Sequence, residues 1–250
     1  MHFIAIIPAR FESTRLPGKV LADIHGKPMI AHVIHKAKMS GAQRVIVATD
    51  HPRVAEAAQV GGAETCLTSK NHRSGTERLS ETVDIMGIDD DEIVVNVQGD
   101  EPCIDPELIT QVAYDLSRRA ATDIATLATP IEDSKDVTNS NIVKVVLDIE
   151  GNAMYFSRAI IPWDRDAGGA QDARRGMLRH VGLYAYRAGF LRQYIHLECT
   201  ILEELEKLEQ LRALYHQKKI HVSITRTGES LGVDTEADLE KVRNLAVGLE

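Results

Sequence analysis

Between Arg10 and Lys19 the chain concentrates three cations, Arg10, Arg15 and Lys19, with Ser13, Thr14 and Gly18 between them. Three positive charges on one loop repel each other unless an anion sits among them. Hydroxyls and backbone N–H groups can bind that same anion. A triphosphate answers this description. The run begins at Pro8 and Ala9, directly after the apolar stretch Phe3 to Ile7. Open α/β sheets bind ligands at the carboxyl ends of their strands, so the placement favours phosphate binding over a solvated basic loop. Neither a GxGxxG nor a GxxxxGK[ST] pattern is present, which excludes a dinucleotide fingerprint and a Walker loop.

Carboxylates stand at two comparable places. Gln98-Gly99-Asp100-Glu101-Pro102 follows the run EIVVNV, which puts Asp100 at the carboxyl edge of the sheet. Asp234 lies in Gly232-Val233-Asp234-Thr235, after the last strand-like run. Mg²⁺ is held by one or two carboxylates completed by phosphate oxygens and water, and this pair suits it. Asp234 fits a helix N-cap equally well, Asp100 could be a turn residue, and Glu101, before a proline, could face solvent. Asn71 to Arg78 opens a helix. There Ser74, Gly75 and Thr76 offer N–H groups and hydroxyls to an anion or a base edge, and Ser74 with Glu77 also reads as a capping box. No HExxH pattern occurs, so zinc is not expected.

The elements that must position these residues follow from pattern. Phe3 to Ile7, Arg44 to Ala48, Glu92 to Val97 and Asp123 to Leu127 are nearly continuous apolar runs, as strands buried on both faces are. Between them, Met29 to Met39, 52–60, 75–86 and 105–118 show helical spacing, and Asp105-Pro106-Glu107 reads as a helix start. Further strands are expected at Ile142 to Leu147, Met154 to Phe156, Gly182 to Tyr186 and Ile220 to Ile224. A leucine-spaced helix is expected over 202–214, and a terminal helix from Glu236. Asp164 to Arg175, polar and glycine-rich, reads as a mobile loop. Strand–helix alternation predicts a three-layer α/β fold with right-handed crossovers. With no linker or repeat, residues 1–250 read as one domain carrying a small insert near 150–185.

Composition narrows the classes. The chain has 250 residues and 44% hydrophobic content, enough to bury about 70–75% of its unfolded surface. Its net charge of −8 makes it a poor general binder of nucleic acid but permits a local basic pocket, and aromatics at 4% argue against base-stacking platforms. Cys66, Cys103 and Cys199 are too dispersed for a disulfide framework, which fits a reducing cytoplasm. The opening MHFIAIIPAR is too short for a signal peptide, and no run approaches the roughly 20 apolar residues of a membrane span.

PARxxSTRLPGK followed by LADIHGKPMIAHVI resembles the opening of a sugar-activating nucleotidyltransferase. The later segments Gly75-Thr76-Glu77-Arg78, Val97 to Pro102, Glu206 to Arg212 and Gly232 to Thr235 narrow the resemblance to the 3-deoxy-manno-octulosonate (Kdo) cytidylyltransferases, over essentially the whole chain. The resemblance implies a Rossmann-like, mostly parallel nucleotidyltransferase fold with a dimerisation insert. It implies a cytoplasmic homodimer that binds neither nucleic acid nor membrane. The implied reaction moves CMP from CTP to the anomeric hydroxyl of Kdo, for lipopolysaccharide synthesis. It assigns Pro8, Ala9, Arg10, Ser13, Arg15, Lys19, Arg73, Ser74, Gly75 and Gln98 to the nucleotide, and Arg10, Arg15, Lys19 and Asp100 to catalysis. Asp100 and Asp234 are assigned to Mg²⁺. Gln98, Arg158, His180, Tyr184 and Glu209 are assigned to the sugar acid, with Arg158 as the bidentate partner of its carboxylate. His180 and Glu209 also admit purely structural and solvated readings. Three other functions remain open at this stage. One is a CMP-sialic acid synthetase. The second is a transferase acting on a phosphorylated acceptor, since Arg158, Arg165, Arg174, Arg175 and Arg179 cluster in sequence. The third is a nucleotide-binding regulator without catalysis.

Overall fold

The computed structural model describes residues 1–13, 15–166, 176–226 and 231–245. In chain order the strands are β1 (Ile4–Pro8), β2 (Asp23–Ile24), β3 (Lys27–Pro28), β4 (Arg44–Thr49), β5 (Glu64–Leu67), β6 (Ile93–Asn96), β7 (Ile124–Pro130), β8 (Lys144–Leu147), β9 (Ala153–Ser157), β10 (Leu178–Arg187) and β11 (Ile220–Ile224). The main helices are α1 (Met29–Met39), α2 (Pro52–Val60), α3 (Gly75–Ile85), α4 (Pro106–Ser117), α5 (Ser134–Thr138), α6 (Ala188–Tyr194), α7 (Ile201–Glu206), α8 (Gln210–Tyr215) and α9 (Glu236–Leu245).

The sheet runs β11-β7-β10-β6-β1-β4-β5, with β8 and β9 attached beside β10. β1 pairs in parallel with β4 and β6, β4 with β5, and β11 with β7. Only β10 of the main order runs against its neighbours β6 and β7, so the sheet is mostly parallel, as expected. Alternate residues of each strand face opposite layers. Ala5, Ile7, Val45, Val47, Val95 and Leu127 pack with Ile30 and Val33 of α1 and Leu108 and Val112 of α4. Ile4, Ile6, Ile46, Val94, Ala128 and Tyr186 pack against Leu79 and Val83 of α3 and Phe190 and Leu191 of α6. The result is three layers.

Helix α1 and α2 keep the boundaries read from their spacing, and Asp105 caps α4 by accepting the Glu107 N–H at 2.9 Å. Other elements differ. The leucine-spaced stretch is two helices, because Lys207 adopts a left-handed conformation (φ 54°) and turns the chain between α7 and α8. A buried ion pair, Arg212 to Glu203 at 2.6 and 2.7 Å, joins the two pieces. β5, α5 and α6 were not legible. They are seven residues or fewer, too short for a period to register. Of the segment 164–175, residues 167–175 lie outside the described residues, Arg174 and Arg175 among them. Among the described residues, no helix is long and apolar enough to cross a membrane.

Candidate active site

The first loop leaves β1 and is held open by contacts that do not depend on any ligand. Ala9 donates its N–H to the Ala48 carbonyl at 2.9 Å, and Phe11 donates to Asp50 Oδ1 at 3.1 Å. The Phe11 ring stacks on His51 with centroids 4.0 Å apart. Asp50 is itself fixed by the buried Arg78, whose guanidinium reaches Asp50 Oδ2 at 3.3 Å and also bonds the Thr68 hydroxyl. At Gly99 a Cβ would come within 2.9 Å of the Pro8 carbonyl, so the β1 and β6 loops can approach this closely only with glycine there.

These loops and the start of α3 enclose a hollow of about 340 Å³. Pro8, Ala9, Arg10, Arg15, Lys19, Arg73, Ser74, Gly75, Gln98, Asp100 and Asp234 all line it, with Arg78 and Glu209. Ser13 does not; its hydroxyl accepts the Leu16 N–H at 3.4 Å within the loop. Ser74 caps α3, accepting the Glu77 N–H at 3.2 Å. The Glu77 carboxylate returns to the Arg73 N–H at 2.8 Å, one residue beyond the expected capping box.

At the floor, Lys19 gathers both carboxylates. Its ammonium donates to Asp100 Oδ2 at 2.6 Å, to Asp234 Oδ1 at 3.0 Å and to the Val233 carbonyl at 3.0 Å. Arg15 pairs with the same Asp234 oxygen at 3.0 Å. Burial alone would lower the Lys19 ammonium, but the two carboxylates more than offset it and hold it above its ordinary value. Asp234 is therefore not the cap of α9. Thr235 fills that role, its hydroxyl accepting the Asp238 N–H at 3.3 Å while Asp238 Oδ2 accepts the Thr235 N–H at 3.1 Å.

A second hollow of about 370 Å³ adjoins the first, and Gly75, Gln98 and Glu209 line both. His180 and Tyr184 of β10 face into it, ring centroids 5.2 Å apart. A register shift between Val181 and Tyr184 frees two carbonyls, and Thr126 Oγ1 lies 3.1 Å from that of Val181 and 2.8 Å from that of Leu183. His180 Nε2 lies 2.9 Å from the same Thr126 hydroxyl. Burial pushes the His180 imidazole down to about 3, so it is neutral at physiological pH, and burial likewise raises the Tyr184 phenol well above its usual value. At these two rings the pocket therefore presents neutral hydrogen-bonding groups rather than charge.

Residues 4–220 match the family model described as cytidylyltransferase. Curated relatives named 3-deoxy-manno-octulosonate cytidylyltransferase include one from Serratia proteamaculans (strain 568), 55% identical over 99% of this chain and 100% of its own length. Another, from Yersinia enterocolitica serotype O:8 / biotype 1B, is 55% identical over 97% of this chain and 98% of its own. This chain belongs to the 3-deoxy-manno-octulosonate cytidylyltransferase family. A CMP:2-keto-3-deoxy-manno-octonic acid synthetase solved in complex with CTP superposes with a TM-score of 0.89, at 40% identity over 98% of both chains. A cytidylyltransferase from Leptospira borgpetersenii serovar Hardjo-bovis (strain JB197) shares the fold, with a TM-score of 0.65 at 16% identity over 98% of this chain and 87% of its own.

Among the described residues, Glu209 is the one carboxylate shared by both hollows. Thr76 donates its hydroxyl to Glu209 Oε2 at 2.8 Å, but burial dominates and raises the carboxyl above its usual range. The folded state then binds a proton more tightly than the unfolded chain does. This contribution to stability is complete below the ordinary glutamate value and fades as pH rises through the raised one. Glu209→Gln keeps an oxygen for Thr76 and removes the buried charge. Thermal unfolding should show the variant more stable than wild type at pH 7, by roughly 1 kcal/mol or about 2–4 °C, with the gain gone at pH 4. An unchanged or lowered midpoint at pH 7 would contradict this.

One expected sugar-acid residue stands apart. Arg158 lines neither hollow; its Nε donates to the Glu206 carbonyl at 2.7 Å and its Nη1 to that of Ser140 at 3.0 Å. The cation that does line the second hollow is Lys207, at the left-handed turn. Sequence reasoning missed Lys207, whose conformation has no local signature in a leucine-rich run. It also missed Arg78, since a buried arginine looks like any helical cation. Asn96 carried a usable signal: an amide inside the otherwise apolar run EIVVNV.

Proposed function

We propose that this cytidylyltransferase moves CMP from CTP to the anomeric hydroxyl of 3-deoxy-D-manno-octulosonate, releasing pyrophosphate. The observation that carries the reading is the pair of joined hollows, one lined by Arg10, Arg15 and Lys19, the other by polar and aromatic groups with Lys207 as its cation, meeting at Gln98. The names of full-length relatives supply the nucleotide and the acid.

The anomeric oxygen attacks the α-phosphorus, the new P–O bond forms, and the bond to pyrophosphate breaks opposite it; the hydroxyl proton leaves to water. Catalysis of this kind is mostly positioning and charge stabilisation. Arg10, Arg15 and Lys19 neutralise the β,γ-phosphates and the leaving group, Lys19 through its charge. Ser74, Gly75 and Arg73 at the start of α3 meet the nucleoside with Pro8 and Ala9, and Gln98 touches both substrates. His180, Tyr184 and Glu209 orient the sugar hydroxyls. The Lys19 ammonium, shared by Asp100 and Asp234, marks one point where both carboxylates face a cation. The carboxylates of Asp100 and Asp234 would hold Mg²⁺ beside that ammonium, and the ion would supply Lewis-acid stabilisation of the phosphate charge. The sugar carboxylate requires a cation, a role for Arg158 only if it exchanges its carbonyl partners, and one that Lys207 is already placed to share.

The reading also carries one domain over 1–250, a cytoplasmic location consistent with the free cysteines, and a homodimer through the insert. Exposed Trp163 and Met154 on that insert support the last point. Pyrophosphate release tests the reaction, with CTP and Mg²⁺ and with Kdo, sialic acid or no acceptor, UTP and ATP serving as nucleotide controls. Release that needs both CTP and Kdo is expected. Release with another sugar acid would remove the Kdo assignment, and CTP binding without release for any acceptor would remove catalysis.

A further inference from the structure

One row of side chains crosses the sheet beneath the second hollow. Asn96 of β6 pairs directly with Tyr184 of β10, and Tyr184 pairs directly with Thr126 of β7. Direct partners on antiparallel strands project to the same face. That face also carries the apolar Ile6, Val94 and Ala128, together with Tyr186. Polar groups on a core-facing row must be paired or they cost folding free energy. Thr126 is paired several times over. Asn96 is only 4% exposed, yet its Oδ1 has no hydrogen-bond partner, and the buried Tyr184 Oη has none either. Both residues line the second hollow.

We infer that Asn96 is a specificity-determining residue of the acceptor pocket, its side-chain carbonyl accepting a hydroxyl of the sugar beside the Tyr184 hydroxyl. The chemistry selects the ligand group. An amide carbonyl at the floor repels a carboxylate oxygen but accepts an O–H, and the Tyr184 hydroxyl can donate to or accept from the same sugar oxygen. The pair therefore reads the hydroxylated part of the acceptor, and the acid group lies toward the cations. A pocket built this way rejects an analogue lacking the hydroxyl, because its buried polar atoms are then left unpaired. This inference rests on the sugar-acid reading of the second hollow and assigns that hollow a residue not implied by the resemblance.

The test compares wild type with Asn96→Leu, which has the same branched outline of four side-chain heavy atoms and lacks the amide. Calorimetric CTP binding serves as the check on folding. Steady-state kinetics use Kdo and a panel of its single-deoxy analogues. Asn96→Leu should bind CTP within about twofold of wild type and lose about 10–100-fold in kcat/KM for Kdo. One deoxy analogue should be poor with wild type yet suffer no further loss with the variant, a coupling that a merely structural residue would not produce. A variant within twofold of wild type on Kdo, or one that loses equally on every analogue, overturns the assignment. If Asn96→Leu fails to bind CTP, Asn96→Ser is judged by the same two criteria. If wild type turns over a different sugar acid, the Kdo reading falls instead, and the same comparison with that acid and its deoxy analogues decides Asn96.

Discussion

Lys19→Ala should lower kcat by about 10²–10³-fold, the range seen when a preorganised donor to a developing anion is removed. The ammonium is half-buried and has three acceptors within 3.0 Å, two of them carboxylate oxygens. Its three N–H donors match those three acceptors. Deleting it leaves Asp100 and Asp234 facing the nucleotide phosphates with one fewer positive charge between them. That harms the transition state most, where charge builds on the departing pyrophosphate. Steady-state kinetics separate the alternatives: a fall in kcat with KM for CTP little changed marks transition-state stabilisation, whereas a rise in KM alone would reduce Lys19 to a ground-state binding group. Lys19→Arg should not restore the rate, because a planar fork cannot replace a compact ammonium among three converging oxygens.

Asp100→Asn should cost about 10³-fold in turnover while leaving CTP affinity within a few-fold of wild type. The amide preserves the shape beside Gly99 and removes the charge. One carboxylate of the pair that faces Lys19 is then gone, and with it half of the anionic donor set proposed for Mg²⁺. CTP binding itself should not suffer, since the hollow becomes more positive toward a polyanion. Turnover is measured by pyrophosphate release at saturating CTP and by Mg²⁺ titration, where the variant should need more metal. Turnover near the wild-type value, with an unchanged Mg²⁺ dependence, would remove Asp100 from the catalytic machinery.

Both predictions concern residues that the sequence put forward, and the two were legible for different reasons. Arg10, Arg15 and Lys19 crowd one short loop, and no solvated surface needs such a loop directly after a buried strand. Asp100 follows a strand-like run, which places it at the carboxyl edge of the sheet. Asp234 was ambiguous, because an aspartate before Thr-Glu-Ala is also a good cap. The cap reading falls only when Thr235 is seen capping α9 and Asp234 is seen on Lys19 and Arg15. Arg158 illustrates the converse: an arginine after a strand suggests a carboxylate partner, but backbone carbonyls of Glu206 and Ser140 hold its guanidinium.

What the sequence by itself determined is most of the long strands and helices, though not β5, α5, α6 or the break between α7 and α8. Burial on both faces selects continuous apolar runs, and one apolar stripe selects the helical period, both within a window of ten or so residues. The caps at Asp105 and Ser74 are equally local. The tertiary structure alone decided that β10 enters the sheet against its neighbours, which sets Tyr184 beside Asn96 and opens the second hollow. It alone decided that Lys19 meets Asp100, 81 residues away, and Asp234, 215 residues away. Local sequence constrains backbone torsions and which face is apolar. Which side chains meet depends on strand order and direction, set by packing between segments that the local pattern does not relate.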